Sequence, residues 1–297
     1  MKTKIVMMTA LLALLATGCG KNNGDGRIRI FAENMTAAGN GSKLQIDADD
    51  PASSSQWLLG ETINVNGTSF PIGDDGEGGY QLDVTSLGEP TTLYAVYPGD
   101  NFGDNYVNVD NSHTDAPIIN LANLVLNFHD GETTHDVVFP MGAKAEANAG
   151  TMMFRHLTAG FRLTLQAASS VTLDKLKVIV YGDAPEDVEI DGVRYTVLWA
   201  GLTPSVPVGP TGSITDRDVA NASEMNFTLK TDGSNGVTFT GDKQLCIPVV
   251  AQDNVKRITV IGYNGNTQVF AKTSTLADDG VDLQINKIYP VKAIQVN

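Results

Sequence analysis

The chain has 297 residues, carries 34 Asp and Glu against 20 Lys and Arg for a formal net charge of −14, and contains two cysteines. A surface this acidic repels nucleic acid and excludes it as a partner. Two cysteines give no disulfide framework, so the fold must rest on a hydrophobic core, and the length suffices for two ordinary domains.

Residues 1–18 have the layout of a secretory signal: Lys2 and Lys4 give a positive start, and Ile5 to Ala16 an apolar run too short to span a bilayer. Thr17-Gly18-Cys19 closes the run and resembles a bacterial lipobox, with cleavage between Gly18 and Cys19 and acylation of Cys19. Acyl chains anchor firmly, since each buried methylene contributes about 0.8 kcal/mol. Residues 19–26 continue as "CGKNNGDG", a glycine-rich, polar, lipidated tether. Cys246, in "KQLCIPVV", then stands alone; its apolar flanks mark a buried small hydrophobe rather than a nucleophile.

Beyond the tether the chain alternates at period 2. A first strand is expected at Arg27 to Met35, with Ile28, Ile30 and Phe31 contributing to the core, and "TINVNGTSFPI" holds an Asn66-Gly67 hairpin turn. "GYQLDV", "TLYAVYP", "YVNVD", "LVLNF" and "DVVFPM" follow; after residue 150 come "GFRLTL", "LDKLKVIVY", "VRYTVLW", "EMNFTLK", "GVTFT", "QLCIPVV" and "KRITVIGY". Asn264-Gly265 predicts a second hairpin turn, and a last strand is expected over Lys287 to Asn297, with Pro290 placing it at an edge or bulge. Only 115–124 and 142–157 leave room for a short helical turn. Many short strands without helical crossovers predict an antiparallel all-β fold. Residues 44–143 hold 16 acidic residues and no Lys or Arg, whereas 144–297 hold 14 basic and 16 acidic ones. That break predicts two sandwiches, 27–148 and 149–297.

No catalytic signature occurs: no G-x-S-x-G, H-E-x-x-H, phosphate loop or dinucleotide fingerprint, so neither an enzyme nor a cofactor is expected. His129 and His135 flank an apparent turn where they can face each other over a metal with Asp130 or Asp136, although solvated loop positions are the commoner fate of such residues. "DADD" (47–50) and "GDDGEG" (73–78) have the carboxylates for calcium but not the EF-hand spacing; a solvated acidic face is the plainer reading. Trp57 and Trp199 can stack on sugars, but core anchoring is the ordinary use of both.

The order of "RIRIFAEN", "WLLGETINVNG", "LYAVYP", "FPMGAKAE", "MFRHLTAGFRLTL" and "NKIYPVKAIQV" after a lipobox resembles the fimbrillin-like (Mfa-like) lipoproteins of Bacteroidales, subunits and accessories of type V pili. The resemblance covers nearly the whole mature chain. It implies two tandem transthyretin-like β-sandwiches, a lipid anchor at the outer membrane, and a structural or adhesive role in a surface fimbria. It further implies assembly with other fimbrial subunits: a surface protease removes the first strand, and a strand donated by a neighbour fills the groove. The linker after the first strand, "TAAGNGSK", lacks the arginine of that pattern; Lys43 is its basic residue, and Arg29 is a cleavage candidate inside the strand itself. The alternative reading is a surface glycan-binding β-sandwich lipoprotein, which requires a row of exposed aromatics.

Overall fold

The structure, a computed structural model, describes residues 26–33, 36–37, 57, 60–88, 90–99, 106–110, 116–129, 135–199, 222–232, 234–277 and 279–296. Gly18, Cys19, Lys43, the "DADD" cluster, His113 and Asp130 lie outside them. Among the described residues the chain is all β, with one 3-10 turn at Thr85–Leu87. Strands are numbered along the chain.

The first sheet comprises Arg27–Ala32 (β1), Thr62–Val65 (β3), Thr68–Pro71 (β4), Gly73–Asp74 (β5), Tyr80–Asp83 (β6), Thr92–Tyr97 (β7), Met141–Glu146 (β11) and Thr151–His156 (β12). Their spatial order is β4-β3-β7-β11-β12-β1-β6-β5. The two ends of that order are one stretch of chain, because only the buried Ile72 separates β4 from β5. The sheet therefore returns to its own start, in the manner of a barrel, and buries Ile28, Ile63, Val65, Leu82, Ala95 and Phe154.

The second sheet contains Tyr106–Asp110 (β8), Ile118–Phe128 (β9), His135–Asp136 (β10), Lys175–Tyr181 (β14), Val188–Ile190 (β15), Val193–Trp199 (β16), Ala222–Thr231 (β17), Ser234–Asn235 (β18), Arg257–Asn264 (β21) and Thr267–Thr275 (β22). The first half of β9 pairs with β8 and β16, and its second half with β10 and β17. A strand that precedes residue 148 thus builds a sheet with strands that follow it. The third sheet holds Thr36–Ala37 (β2), Ala159–Leu173 (β13), Val237–Val249 (β19), Lys287–Pro290 (β24) and Ile294–Gln295 (β25); Gln252–Val255 (β20) and Val281–Leu283 (β23) form a separate pair. One cluster of buried side chains runs from Ile28 and Phe154 through Leu121 and Trp199 to Phe161 and Val260.

The strand pattern follows the alternation, and the departures have local causes. The described residues 116–124 and 142–157 form no helical turn; they contribute to β9, β11 and β12. In β9 the buried positions are Ile119 and Leu121, then Leu124, Leu126 and Phe128, because the register shifts opposite Tyr106 and Val107. That bulge puts a spacing of three into a period-2 strand and imitates helical spacing. In β11 the small residues are a packing requirement: a Cβ on Gly142 would lie 2.5 Å from the Tyr195 ring, whose hydroxyl donates to the Ala143 carbonyl at 3.3 Å.

At the first hairpin Asn66 (φ 49°) and Gly67 (φ 85°) both take positive φ, the type I′ geometry that joins β3 to β4. At the second, Asn264 pairs with Thr267, so the turn residues are Gly265 and Asn266, one place later than predicted. Gly265 alone takes positive φ (61°), which makes the turn type II′.

Candidate functional site: the first strand and its slot

β1 lies inside the first sheet, parallel to β12 and antiparallel to β6. Its side chains obey period 2: Ile28 and Ile30 point inward at 3% and 2% exposure, beside Leu82, Met152 and Phe154. Phe31 was expected to join that core and does not; it is 46% exposed. The reason is strand geometry, since a residue adjacent to Ile30 must face the opposite side. Phe31 stands beside Met153, its register partner on β12, which is 45% exposed. The strand also ends at Ala32 rather than Met35, and the first two residues of the "TAAGNGSK" linker form β2 against β24.

Polar contacts hold β1 from outside. Arg29 bridges Asp75 (Nε to Oδ2, 3.1 Å) and Glu77. The hydrogen bond to Glu77 and the charge of Asp75 raise the guanidinium's pKa further. The Asp75 carboxylate accepts the backbone N–H groups of Glu77 and Gly79, each at 2.8 Å, which hold its pKa below the usual range. The "GDDGEG" carboxylates therefore fold their own loop and clamp β1. Gly26 supplies the corner before the strand: at φ 72° a Cβ there would sit 2.3 Å from Thr85 Cγ2. A cleft of about 430 Å³ opens along β1, lined by Arg29, Phe31, Trp57, Asp75, Glu77 and Tyr80.

The C-terminal strand is split. β24 runs parallel to β13 on one side and to β2 on the other, and β25 resumes on β13 after a break. Pro290 pairs beside Arg162, the Val291 N–H donates to the Arg162 carbonyl at 2.9 Å, and the Val296 N–H donates to Gln166 at 3.0 Å. Ile288, Val291, Ile294 and Val296 are buried, at spacings that a regular strand does not give.

The other predicted site residues scatter. His129 is exposed, with Nδ1 3.1 Å from Asp232. His135 is buried and its Nε2 accepts the Cys246 N–H at 2.9 Å, which fixes the neutral imidazole with its proton on Nδ1. The two histidines do not converge, because Phe128 pairs with His135 and turns His129 away. Cys246 is buried, as its flanks indicate. Trp57 packs edge-on against Tyr97 and Phe154, and Trp199 packs at a tilt of 56° against Phe227; both tryptophans are buried in the core. Sequence reasoning missed the Arg29–Asp75–Glu77 clamp, for which the 45 residues between Arg29 and Asp75 leave no local signal.

No protein-family model matches the chain, and no curated protein sequence does. Among solved structures it is similar to a candidate cell adhesion protein from Bacteroides ovatus, at 14% identity and TM-score 0.37, covering 90% of this chain and 91% of that one. A second such protein, from Bacteroides fragilis, is 15% identical with TM-score 0.34 and coverage of 90% and 92%. A fimbrial protein from Bacteroides ovatus is 12% identical with TM-score 0.26, covering 91% of this chain and 50% of that one.

Proposed function

We propose that the chain is a lipid-anchored structural and adhesive component of a bacterial surface fimbria, held at the outer membrane through Cys19 and joined to other fimbrial subunits by β-strand exchange. The reading rests on the sequence resemblance and on one observation: the first described strand, directly after a glycine-rich tether, fills an interior slot with two inward isoleucines and pairs along both edges. Such a strand is a separable plug. Its departure uncovers main-chain groups on β12 and β6 together with Leu82, Met152 and Phe154, and an extended segment with matching alternation restores them. Maturation by a protease at Lys43 removes β1 whole, whereas cutting after Arg29 leaves half of it in place. The role requires no catalysis and no cofactor, and the division into units 27–148 and 149–297 belongs to the same proposal.

Deleting residues 27–35 tests the reading. Circular dichroism must first show that the sheets persist. The deleted protein is then expected to bind a peptide of residues 286–297, and the intact chain to ignore it. A folded deletion variant indifferent to that peptide and to a peptide of residues 27–35 overturns strand exchange at this slot. The anchor has its own test: Cys19→Ser is expected to leave the signal uncleaved and the protein without acyl label. Incorporation of labelled palmitate into that variant overturns acylation at Cys19.

A further inference from the structure

Among the described residues three large apolar side chains stay exposed: Phe31 at 46%, Met153 at 45% and Val269 at 37%. Such residues scattered singly are ordinary on a surface, whereas neighbours on one face begin a patch. Phe31 and Met153 are neighbours, register partners on the parallel strands β1 and β12. Alternation puts both on the outward face of the first sheet. Along β1 the exposed residues are Arg27, Arg29 and Phe31; along β12 they are Thr151, Met153 and Arg155.

Each arginine of this face has a carboxylate beside it. Arg27 lies opposite Asp83 and helps to lower its pKa, Arg29 bridges Asp75 and Glu77, and Arg155 sits 3.7 Å from Asp191. The face is therefore an apolar pair within a rim of both signs.

The place of this face along the chain indicates its partner. Arg27 comes eight residues after Cys19, so the chain between them spans at most about 29 Å. Phe31 is four residues further, about 13 Å along the strand. With lipid on Cys19, the bilayer surface stays within reach of this face at an effective concentration of about millimolar, where a weak contact is enough. We infer that the outward face of β1 and β12 lies on the bilayer. Phe31 and Met153 enter the headgroup boundary of zwitterionic phospholipid, and the arginines and carboxylates around them meet its phosphate and ammonium groups. A rim of both signs suits a headgroup of both signs better than an anionic one, which a chain of net charge −14 repels. The inference rests on the anchor proposed at Cys19, names the face that the anchor brings down, and holds while β1 occupies its slot.

A supplied anchor tests the face apart from acylation. The chain from Gly20 is held by an N-terminal histidine tag on vesicles of phosphatidylcholine and phosphatidylethanolamine that contain a nickel-chelating lipid. Tryptophan reporters are read one at a time: Phe31→Trp, Met153→Trp and, as control, Val269→Trp on β22. Emission of the parent, from the buried Trp57 and Trp199, is subtracted. Emission at positions 31 and 153 is expected to shift to the blue and to be quenched by lipids brominated about 5–10 Å into the headgroup and acyl boundary. The reporter at 269 is expected to behave as it does in solution. Quenching is expected to persist at high salt, because the insertion is apolar. Aqueous emission at both 31 and 153 on the vesicle, equal quenching at 269, or loss of quenching at high salt overturns the proposal. So does association of the untethered chain in sedimentation velocity that Phe31→Ser/Met153→Ser abolishes, since the face then belongs to a second copy. Circular dichroism checks each variant, and two reporters on separate strands keep the test decisive if one misfolds. Failure here leaves acylation at Cys19 standing, and the palmitate label tests that by itself.

Discussion

The N-terminal strand and the C-terminal segment are built to different rules although they lie alongside almost the same piece of chain. β12 and β13 follow one another with only two residues between them; β1 runs parallel to the first and β24 with β25 parallel to the second. β1 is regular, its inward residues two apart, with partners on both sides. The C-terminal segment is interrupted after Pro290, and its buried residues are spaced irregularly. A regular strand fits any slot of the same register, whereas an interrupted one is matched to its own bend. The difference teaches that, of the two, β1 has the regular geometry that the proposed strand exchange requires, and that the C-terminus must straighten before it could fill such a slot.

Four experiments break or sharpen this contrast. The largest effect is expected from Ile30→Asp, which buries an unpaired charge in a fully enclosed slot. A loss of about 4 kcal/mol or more in denaturant titrations is expected, and a loss under about 1 kcal/mol means that β1 leaves the slot readily.

The next effect comes from the joint between β12 and β13, where His156 is buried edge-on to Phe139. Desolvation lowers its pKa from 6.5 to about 4. The unfolded chain therefore takes up the proton first, and stability falls as pH drops from 6.5 towards 4, by up to about 3 kcal/mol. Melting curves across that window check this, and His156→Phe is expected to flatten them. Asp75 and Asp83, both lowered by hydrogen bonds to their own loops, act in the same direction only below 3.8.

Third, Ile294→Ala in β25 is expected to cost about 2 kcal/mol, at the low end for a buried isoleucine because an edge segment relaxes more easily than an interior one. A cost equal to that of Ile30→Ala erases the contrast between the termini. The smallest effect is expected from Phe31→Ser, within about 0.5 kcal/mol of the parent, since the ring faces outward. A large loss restores Phe31 to the core.

Much of this was legible in the sequence. The alternation of Ile28 and Ile30 placed β1, Asn66-Gly67 placed a hairpin, and the apolar flanks of Cys246 placed it inside. What was illegible depends on long-range contact or on a single inserted residue. The bulge in β9 turned Leu121 and Leu124 into a helical-looking pair, and the need for a glycine at 142 comes from the Tyr195 ring, 53 residues further on. Phe31 was a misreading of period, correctable from the sequence alone, because neighbours on a strand cannot share a face. The separation of His129 from His135 followed from the pairing of Phe128 with His135, which no spacing rule reveals.

The corner at Gly26 has a mechanical meaning. β1 begins directly after it and is bonded along both edges to β12 and β6. Under the anchoring proposed through Cys19, tension would enter ahead of Gly26 and pull β1 along its own axis, so its cross-strand bonds would share the load together instead of parting one after another. Resistance to such a pull would be governed by a rate of rupture rather than by equilibrium stability, with the buried Ile28 and Ile30 as the teeth that must leave the slot.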